Sequence, residues 1–343
     1  MKVSVVIPLY NKAPYICRAL SSVLRQTVQD IECIVVDDGS TDGGGDLVLK
    51  MGDPRIRLER QANGGVSQAR NKGIELARHP LIAFLDADDE WLPEFLEASL
   101  KMHQEHPNIV ASFTNYQREP EGKPAFREVA PGLRVLKDYF AFCLCHRGRG
   151  MCSSAVVARH DTLLKIGGFP VGRKMGEDVD TWARLAWTGP VGFIPQVLAV
   201  YHFSDGACAQ SIQAADDSSY PVSYDILETY RAWSRGGLVP TELCESTVAH
   251  VYLLRLYDVY NAISRGQAHR ARFLYTGVPS CQRIWSRDLC GYLALRVPCC
   301  RPLFLALGWR IGGWILIHRW RARQTNGRQL CLLWQRLSTN TII

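Results

Sequence analysis

Nowhere do the 343 residues hold the run of about 20 apolar residues that a membrane-spanning helix needs. The nearest approach, Leu303 to Ile317, is interrupted by Arg310 and three glycines. A signal-peptide pattern is missing as well, because MKVSVVIPLYNK has one early lysine and an apolar run that soon meets Pro8 and polar residues. The expectation is a catalytic part that stays in the cytoplasm. No paired C-x-x-C framework occurs, so the 12 cysteines, scattered through a long chain, read as free thiols in a reducing compartment. Cys143, Cys145, His146 and Cys152 have the wrong spacing for a zinc site. The first apolar strand runs into Leu9, Tyr10, Asn11, Lys12, Ala13 and Pro14, not a G-x-G-x-x-G turn, which disfavours a Rossmann-type oxidoreductase. No internal repeat is visible. Lysine is absent from residues 221–343, which carry 16 arginines and 6 acidic residues, a balance of +10 against −3 for residues 1–220.

What is present is an ordinary globular composition, 47% apolar, enough for a sizeable core. Short β-rich runs alternate with helical patterns, which argues for an α/β fold with a mostly parallel sheet. Val3 to Pro8 is a buried strand, and Ile16, Leu20, Val23 and Leu24 recur at helical spacing. Glu32 to Val36 makes a second strand, Arg55 to Glu59 a third and Leu81 to Leu85 a fourth. Between the last two lies a helix marked by Val66, Ala69, Gly73, Ile74 and Ala77. Trp91 to His106 predicts a helix, Ile109 to Tyr116 a strand, residues 117–132 a hairpin or loop, and Met151 to Arg159 another strand. Gly167, Gly168, Gly172 and Gly176 mark a loop leading to Glu177, Asp178 and a further helix. Residues 192–203 read as a closing strand or two, and helices dominate from about residue 220.

Acidic residues gather where strands end, the edge at which open α/β sheets bind ligands. Asp86, Ala87, Asp88 and Asp89 follow the fourth strand. In an extended segment, side chains two residues apart project to one side, so Asp86 and Asp88 could address one Mg²⁺ or Mn²⁺ with a diphosphate. The bland alternative is a polar turn with Asp89 capping the next helix. Asp37 and Asp38 can accept from a ring N–H or a ribose hydroxyl, or simply form a turn with Gly39, Ser40, Thr41 and Asp42. Asn63 to Asn71 opens a helix whose N-terminus could face phosphate, with Arg70 adding positive charge. Glu177 and Asp178 could simply cap their helix, or supply a carboxylate that removes the proton of an attacking hydroxyl.

The motifs VSVVIPLYN, IVVDDGSTD, NGGVSQARNKGI, FLDADD and GED, in this order, closely resemble the family 2 inverting glycosyltransferases over about residues 1 to 210. The resemblance implies a GT-A fold, a nucleotide-sugar donor, with UDP favoured, and Mn²⁺ or Mg²⁺. It implies that Pro8, Tyr10 and Asp38 line a nucleoside pocket and that Arg70 lies near the base or the diphosphate. It further places Asp86 near the ribose, Asp88 on the metal, Asp178 as general base and Glu177 beside it, orienting the acceptor or the base. Such a base is expected to be ionised at neutral pH. Relatives' late arginine and histidine pair is replaced here by Tyr201, His202 and Phe203, and the Gln-x-x-Arg-Trp motif of processive relatives is missing, so transfer of one sugar is expected.

Domain boundaries are expected at 1–220 for the catalytic domain and 221–343 for an arginine-rich helical tail. With Trp309, Trp314 and Trp320 beside Arg319, Arg321 and Arg323, the tail suits the surface of an anionic membrane. A core helix or partner contact is the alternative. The acceptor expected is then a lipid-linked glycan of cell-surface polysaccharide synthesis, with the enzyme peripheral on the inner face of the cell membrane. No nucleic acid partner is expected, since a basic nucleic-acid adaptor would leave Asp88 and Asp178 without a role.

Overall fold

A computed structural model describes residues 2–127, 129–173, 175–202 and 222–264. The first compact unit includes Met1–Ala262. The second, Ile263–Ala268 with Thr276–Ile343, lies outside the described residues apart from the last two positions of the final helix. The membrane-surface segment Leu303 to Ile317 and its tryptophans also fall outside them. Among the described residues, no helix is long and apolar enough to cross a membrane.

Strand β1 (Val3–Leu9) is the reason the sheet sits where it does. Apart from Ser4, its residues are apolar on both sides because both faces are covered. Val6 joins a core with Ala69 and Ile74 of one flanking helix, while Val3, Val5, Ile7 and Leu9 join Ile16, Ala19, Leu20 and Val23 of another. Helix α1 (Ala13–Leu24) follows, then β2 (Ile31–Asp37), α2 (Gly44–Lys50), β3 (Ile56–Arg60), α3 (Val66–Leu76) and β4 (Leu81–Phe84). Strands β1 to β4 pair in parallel in the order β3-β2-β1-β4. Helix α3 lies so close to β1 that a Cβ on Gly73 would stand 2.2 Å from Val6 Cγ1.

The second half of the sheet is mixed. It contains β5 (Glu90–Trp91), β6 (Ala111–Glu119), β7 (Lys123–Pro124), β8 (Arg134–Leu136), β9 (Val156–Arg159) and β10 (Val191–His202). Strand β9 is antiparallel to both β4 and β6, whereas β6 and β10 are parallel. Trp91 departs from the sequence reading. It belongs to β5, opposite Ala199 of β10, and helix α4 starts only at Phe95 (Phe95–Glu105). The strand expected from Met151 begins instead with a 3₁₀ turn, Ser153–Ala155. Helices α5 (Tyr139–Cys145), α6 (His160–Lys165) and α7 (Glu177–Thr188) cover the other face.

Two later helices, α8 (Val222–Arg235) and α9 (Cys244–Ser264), pack on α7. Trp187 is 2% exposed, with its ring 5.5 Å from Trp233 and 6.1 Å from Tyr230, and its indole N–H donates to Thr247 Oγ1 at 3.2 Å. Burying an aromatic side chain of this size contributes on the order of 2 to 3 kcal/mol. The first compact unit thus includes α8 and nearly all of α9.

Candidate active site

The C-terminal ends of β1, β2 and β4 share one edge because these strands are parallel and adjacent. The loops after β1 and β2 are stitched together there. Asn11 N–H donates to Ser40 Oγ at 3.1 Å, Thr41 N–H to Asn11 Oδ1 at 2.8 Å, and Ala13 N–H to Asp42 Oδ2 at 2.7 Å. Asn11 adopts φ 50°, a left-handed conformation that asparagine tolerates better than most residues. Pro8 is half-buried at this edge, and Tyr10 is 50% exposed, leaving its ring open to stacking.

Asp38 is 2% exposed, and its carboxylate already holds three donors. Oδ1 accepts from Gln61 Nε2 at 2.7 Å and Gly64 N–H at 2.9 Å, and Oδ2 from Gly65 N–H at 2.8 Å. The side chain therefore pins the loop that opens α3, and little of it is left for a nucleoside. Its neighbour Asp37 accepts from Ser40 N–H at 2.9 Å, a turn-forming contact.

The acidic run after β4 is a turn, closed by Asp89 N–H donating to Asp86 C=O at 3.0 Å. Alternation along a strand does not apply to it, and the Asp86 and Asp88 carboxylates take different partners. Asp86 Oδ1 meets Arg70 Nη2 at 2.7 Å, whereas Asp88 pairs with the Lys12 ammonium. The Asp88 carbonyl also accepts from the Arg18 guanidinium. Asp89 does not cap α4. It is 1% exposed, receives the Ser154 hydroxyl, and accepts His202 N–H at 2.9 Å. Burial, with the charges of Asp86 and Asp88, pushes its pKa well above the usual carboxylate range. Ser154, which no pattern in the sequence singles out, is the hub of this turn. Its Oγ also accepts Asp86 N–H at 3.1 Å, and its carbonyl accepts the Trp91 indole N–H at 2.7 Å. The His202 ring lies 2.9 Å from Glu90 Oε1.

The second acidic pair arrives from α7, whose N-cap is Gly176 at φ 77°. Glu177 Oε1 accepts from Arg70 Nη1 at 2.9 Å. Asp178 is half-buried and accepts its neighbour Val179 N–H at 2.7 Å. Burial and the charge of Glu177 outweigh Arg70, so its pKa rises to about 6. That brings the carboxyl nearer neutrality than an ordinary aspartate, although about nine carboxyls in ten remain ionised at pH 7. Arg70 links the two acidic pairs. Burial opposes its charge, but Asp86, Glu177 and Asp178 more than offset that and raise its pKa.

Among the described residues, no three His, Cys, Asp or Glu stand close enough to cage a metal. The donor set fits a hard divalent cation nonetheless. Asp88 offers carboxylate oxygen and already faces a cation, and Mg²⁺ or Mn²⁺ is commonly held by one or two carboxylates with phosphates and water completing the shell. A zinc cluster is not assembled. Cys143 and Cys152 are free thiols whose pKa values are pushed up, by burial above all, and the His146 Nδ1 lies 2.8 Å from Phe142 C=O.

A sheet of this order, with two acidic pairs meeting at its C-terminal edge, is a GT-A glycosyltransferase fold. Two of the solved structures similar to this chain illustrate it. One is S. aureus TarS 1-349 in complex with UDP-GlcNAc, with a TM-score of 0.53 and 19% identity, covering 80% of this chain and 90% of that one. The other is the mannosyltransferase PcManGT from Pyrobaculum calidifontis in complex with GDP-Man and Mn²⁺, with a TM-score of 0.57 and 20% identity, covering 86% and 81%. At these identities the likeness is one of fold. Residues 4–161 match the family model described as glycosyl transferase family 2, and this part of the chain is a family 2 domain. Glu177 and Asp178 lie beyond the matched range. An uncharacterized glycosyltransferase of Rickettsia felis is 34% identical over 209 residues, covering 60% of this chain and 33% of the relative. One from Nostoc sp. is 44% identical over 177 residues, covering 50% and 54%. The chain thus spans between a third and about half the length of these curated relatives.

Proposed function

We propose that the protein transfers a single sugar from a nucleotide-sugar donor, preferably a UDP-sugar, to an acceptor hydroxyl with inversion at the anomeric carbon. The observation that carries this reading is the meeting of Asp86 with Glu177 and Asp178 around one buried arginine, with Asp88 beside them in the same turn. Tyr10 and Pro8 take the nucleoside against the loop that Asp38 fixes, and Asp86 takes the ribose. Asp88 would hold Mn²⁺ or Mg²⁺, which when bound supplies Lewis-acid stabilisation of a departing diphosphate. Asp178, with a pKa of about 6, accepts the proton of the attacking hydroxyl, a value well matched to base work near neutral pH. Glu177 orients that hydroxyl or the base. We place the enzyme in the cytoplasm, peripheral on the inner face of the membrane through its arginine-rich tail, with a glycan acceptor, lipid-linked, of a cell-surface polysaccharide.

The test is a thermal-shift comparison of UDP and GDP, UDP-sugars, NAD and ATP, each with and without Mn²⁺, since a ligand that binds the native state raises its stability. UDP with metal should give the largest shift. Equal shifts for all nucleotides would refute the donor assignment, and NMR of the product showing a retained anomeric configuration would refute single displacement.

A further inference from the structure

The resemblance to family 2 enzymes places Arg70 near the base or the diphosphate, but its surroundings suggest a different task. Only 4% of its side chain is exposed. The two terminal nitrogens of the guanidinium each meet a different carboxylate, Nη2 that of Asp86 at 2.7 Å and Nη1 that of Glu177 at 2.9 Å, and its carbon lies 5.1 Å from the centre of the Phe169 ring. Phe169 is itself clamped by the next residue of α3. Phe169 N–H donates to Asn71 Oδ1 at 2.7 Å, and Asn71 Nδ2 donates to Phe169 C=O at 2.8 Å. The fit is tight enough that a Cβ on Gly168, at φ 64°, would stand 2.4 Å from Asn71 Oδ1. Consecutive residues of one helix thus hold the turn after β4 and the loop that leads into α7.

We propose that Arg70 is a positioning residue that fixes the span between the donor-side Asp86 and the acidic pair Glu177–Asp178. A planar fork can bridge two carboxylates at a set separation, and a lysine, as a single point of charge, cannot. Without the bridge, three neighbouring acids repel one another and the base drifts from the hydroxyl it serves. Misplacement by about 1 Å can cost on the order of 10²-fold in rate. The proposal rests on the glycosyl-transfer reading given above.

The test uses the full chain as wild type, Arg70→Lys, Arg70→Gln, Glu177→Gln and the double variant Arg70→Gln/Glu177→Gln. UDP binding is measured by calorimetry with Mn²⁺ present. Turnover is measured as UDP released from whichever UDP-sugar the wild type consumes fastest, with water as acceptor. Positioning predicts that kcat falls about 10-fold in Arg70→Lys and about 100-fold in Arg70→Gln, while UDP affinity stays within about threefold. Because both residues then act through one bridge, the double variant should fall no more than about threefold below Arg70→Gln. Loss of UDP affinity by tenfold or more with kcat retained would make Arg70 a phosphate clamp and overturn the proposal, as would losses that multiply in the double variant. Should Arg70→Gln fail to fold, the ratio of kcat loss to affinity loss in Arg70→Lys decides alone. A wild type that releases UDP from no sugar nucleotide would refute the glycosyl-transfer reading itself and this proposal with it.

Discussion

Replacing Asp178 by Asn should slow the enzyme and stabilise it. Raising a carboxyl from 3.8 to about 6 sets about 3 kcal/mol against the ionised form in the folded chain. Asn keeps an oxygen to accept Val179 N–H but never ionises, so it escapes that cost. The folded-state pKa is the higher one, so the penalty is complete above about pH 7 and vanishes below about pH 4, where the carboxyl is protonated in both states. At pH 8 the variant should therefore be more stable by up to about 3 kcal/mol, a Tm higher by about 5 °C or more for a unit of this size. The gap should close as pH falls through 6 towards 4. Turnover should drop by about 10² to 10⁴, and the wild type should lose about tenfold in rate between pH 7 and pH 5 as the base protonates. Calorimetry from pH 4 to 8, paired with UDP release from a UDP-sugar, measures both. An Asn variant that is less stable at pH 8, or a gap that widens on acidification, would refute the reasoning, and near-normal turnover would remove Asp178 from the mechanism.

Asp88→Asn should abolish the extra thermal stabilisation that Mn²⁺ gives UDP while leaving the unliganded Tm close to wild type, because a neutral amide is a poorer ligand for a hard cation. An unchanged metal response would move the metal elsewhere. Gly73→Ala should destabilise by about 1 to 3 kcal/mol in urea unfolding, since its methyl would overlap Val6 in a closely packed contact. A cost near zero would mean that α3 can lift from β1 freely. Removal of residues 296–343 should shift the protein from the membrane fraction to the soluble fraction, with the full chain released by salt. A full chain that is wholly soluble in low salt would count against a membrane-surface tail.

The parallel half of the sheet was readable because strands covered on both faces are near-continuous apolar runs, as β4 is wholly and β1 and β2 are apart from Ser4, Glu32 and Asp37. Helix α1 was readable because one face is buried at helical spacing. What escaped was decided by distant partners. Trp91 continues the helical pattern that follows it, yet its indole is held by Ser154, 63 residues away in sequence, and its ring stacks on Phe95 at 4.2 Å. Helix α2 begins with Gly44 and Gly45, which argue for a loop, and a Cβ on Gly45 would collide with Asp37 Oδ2 at 2.4 Å. Helix α5 carries a local signal, Asp138 accepting Ala141 N–H at 2.8 Å as an N-cap. At the site, sequence shows which carboxylates follow the strands but not which cation each one meets. Asp86 and Asp88 are two residues apart and face Arg70 and Lys12 respectively. Ser154 carries no pattern at all, because a hub built from one hydroxyl and one carbonyl needs no repeat and no neighbour of its own kind.

The packing of α8 and α9 on α7 bears on how shortened versions of this protein should be cut and interpreted. Val179, directly after the proposed base, lies against a small apolar cluster of Ile226, Leu227 and Val251, and Trp187 at the far end of the same helix lies against Trp233. A chain stopped at residue 220 would leave both ends of that helix facing water. Its inactivity would then report a loosened helix, not a missing catalytic group. A chain stopped after Ser264 keeps these contacts, so comparing the two stops would separate what the arginine-rich remainder does from what the helix requires.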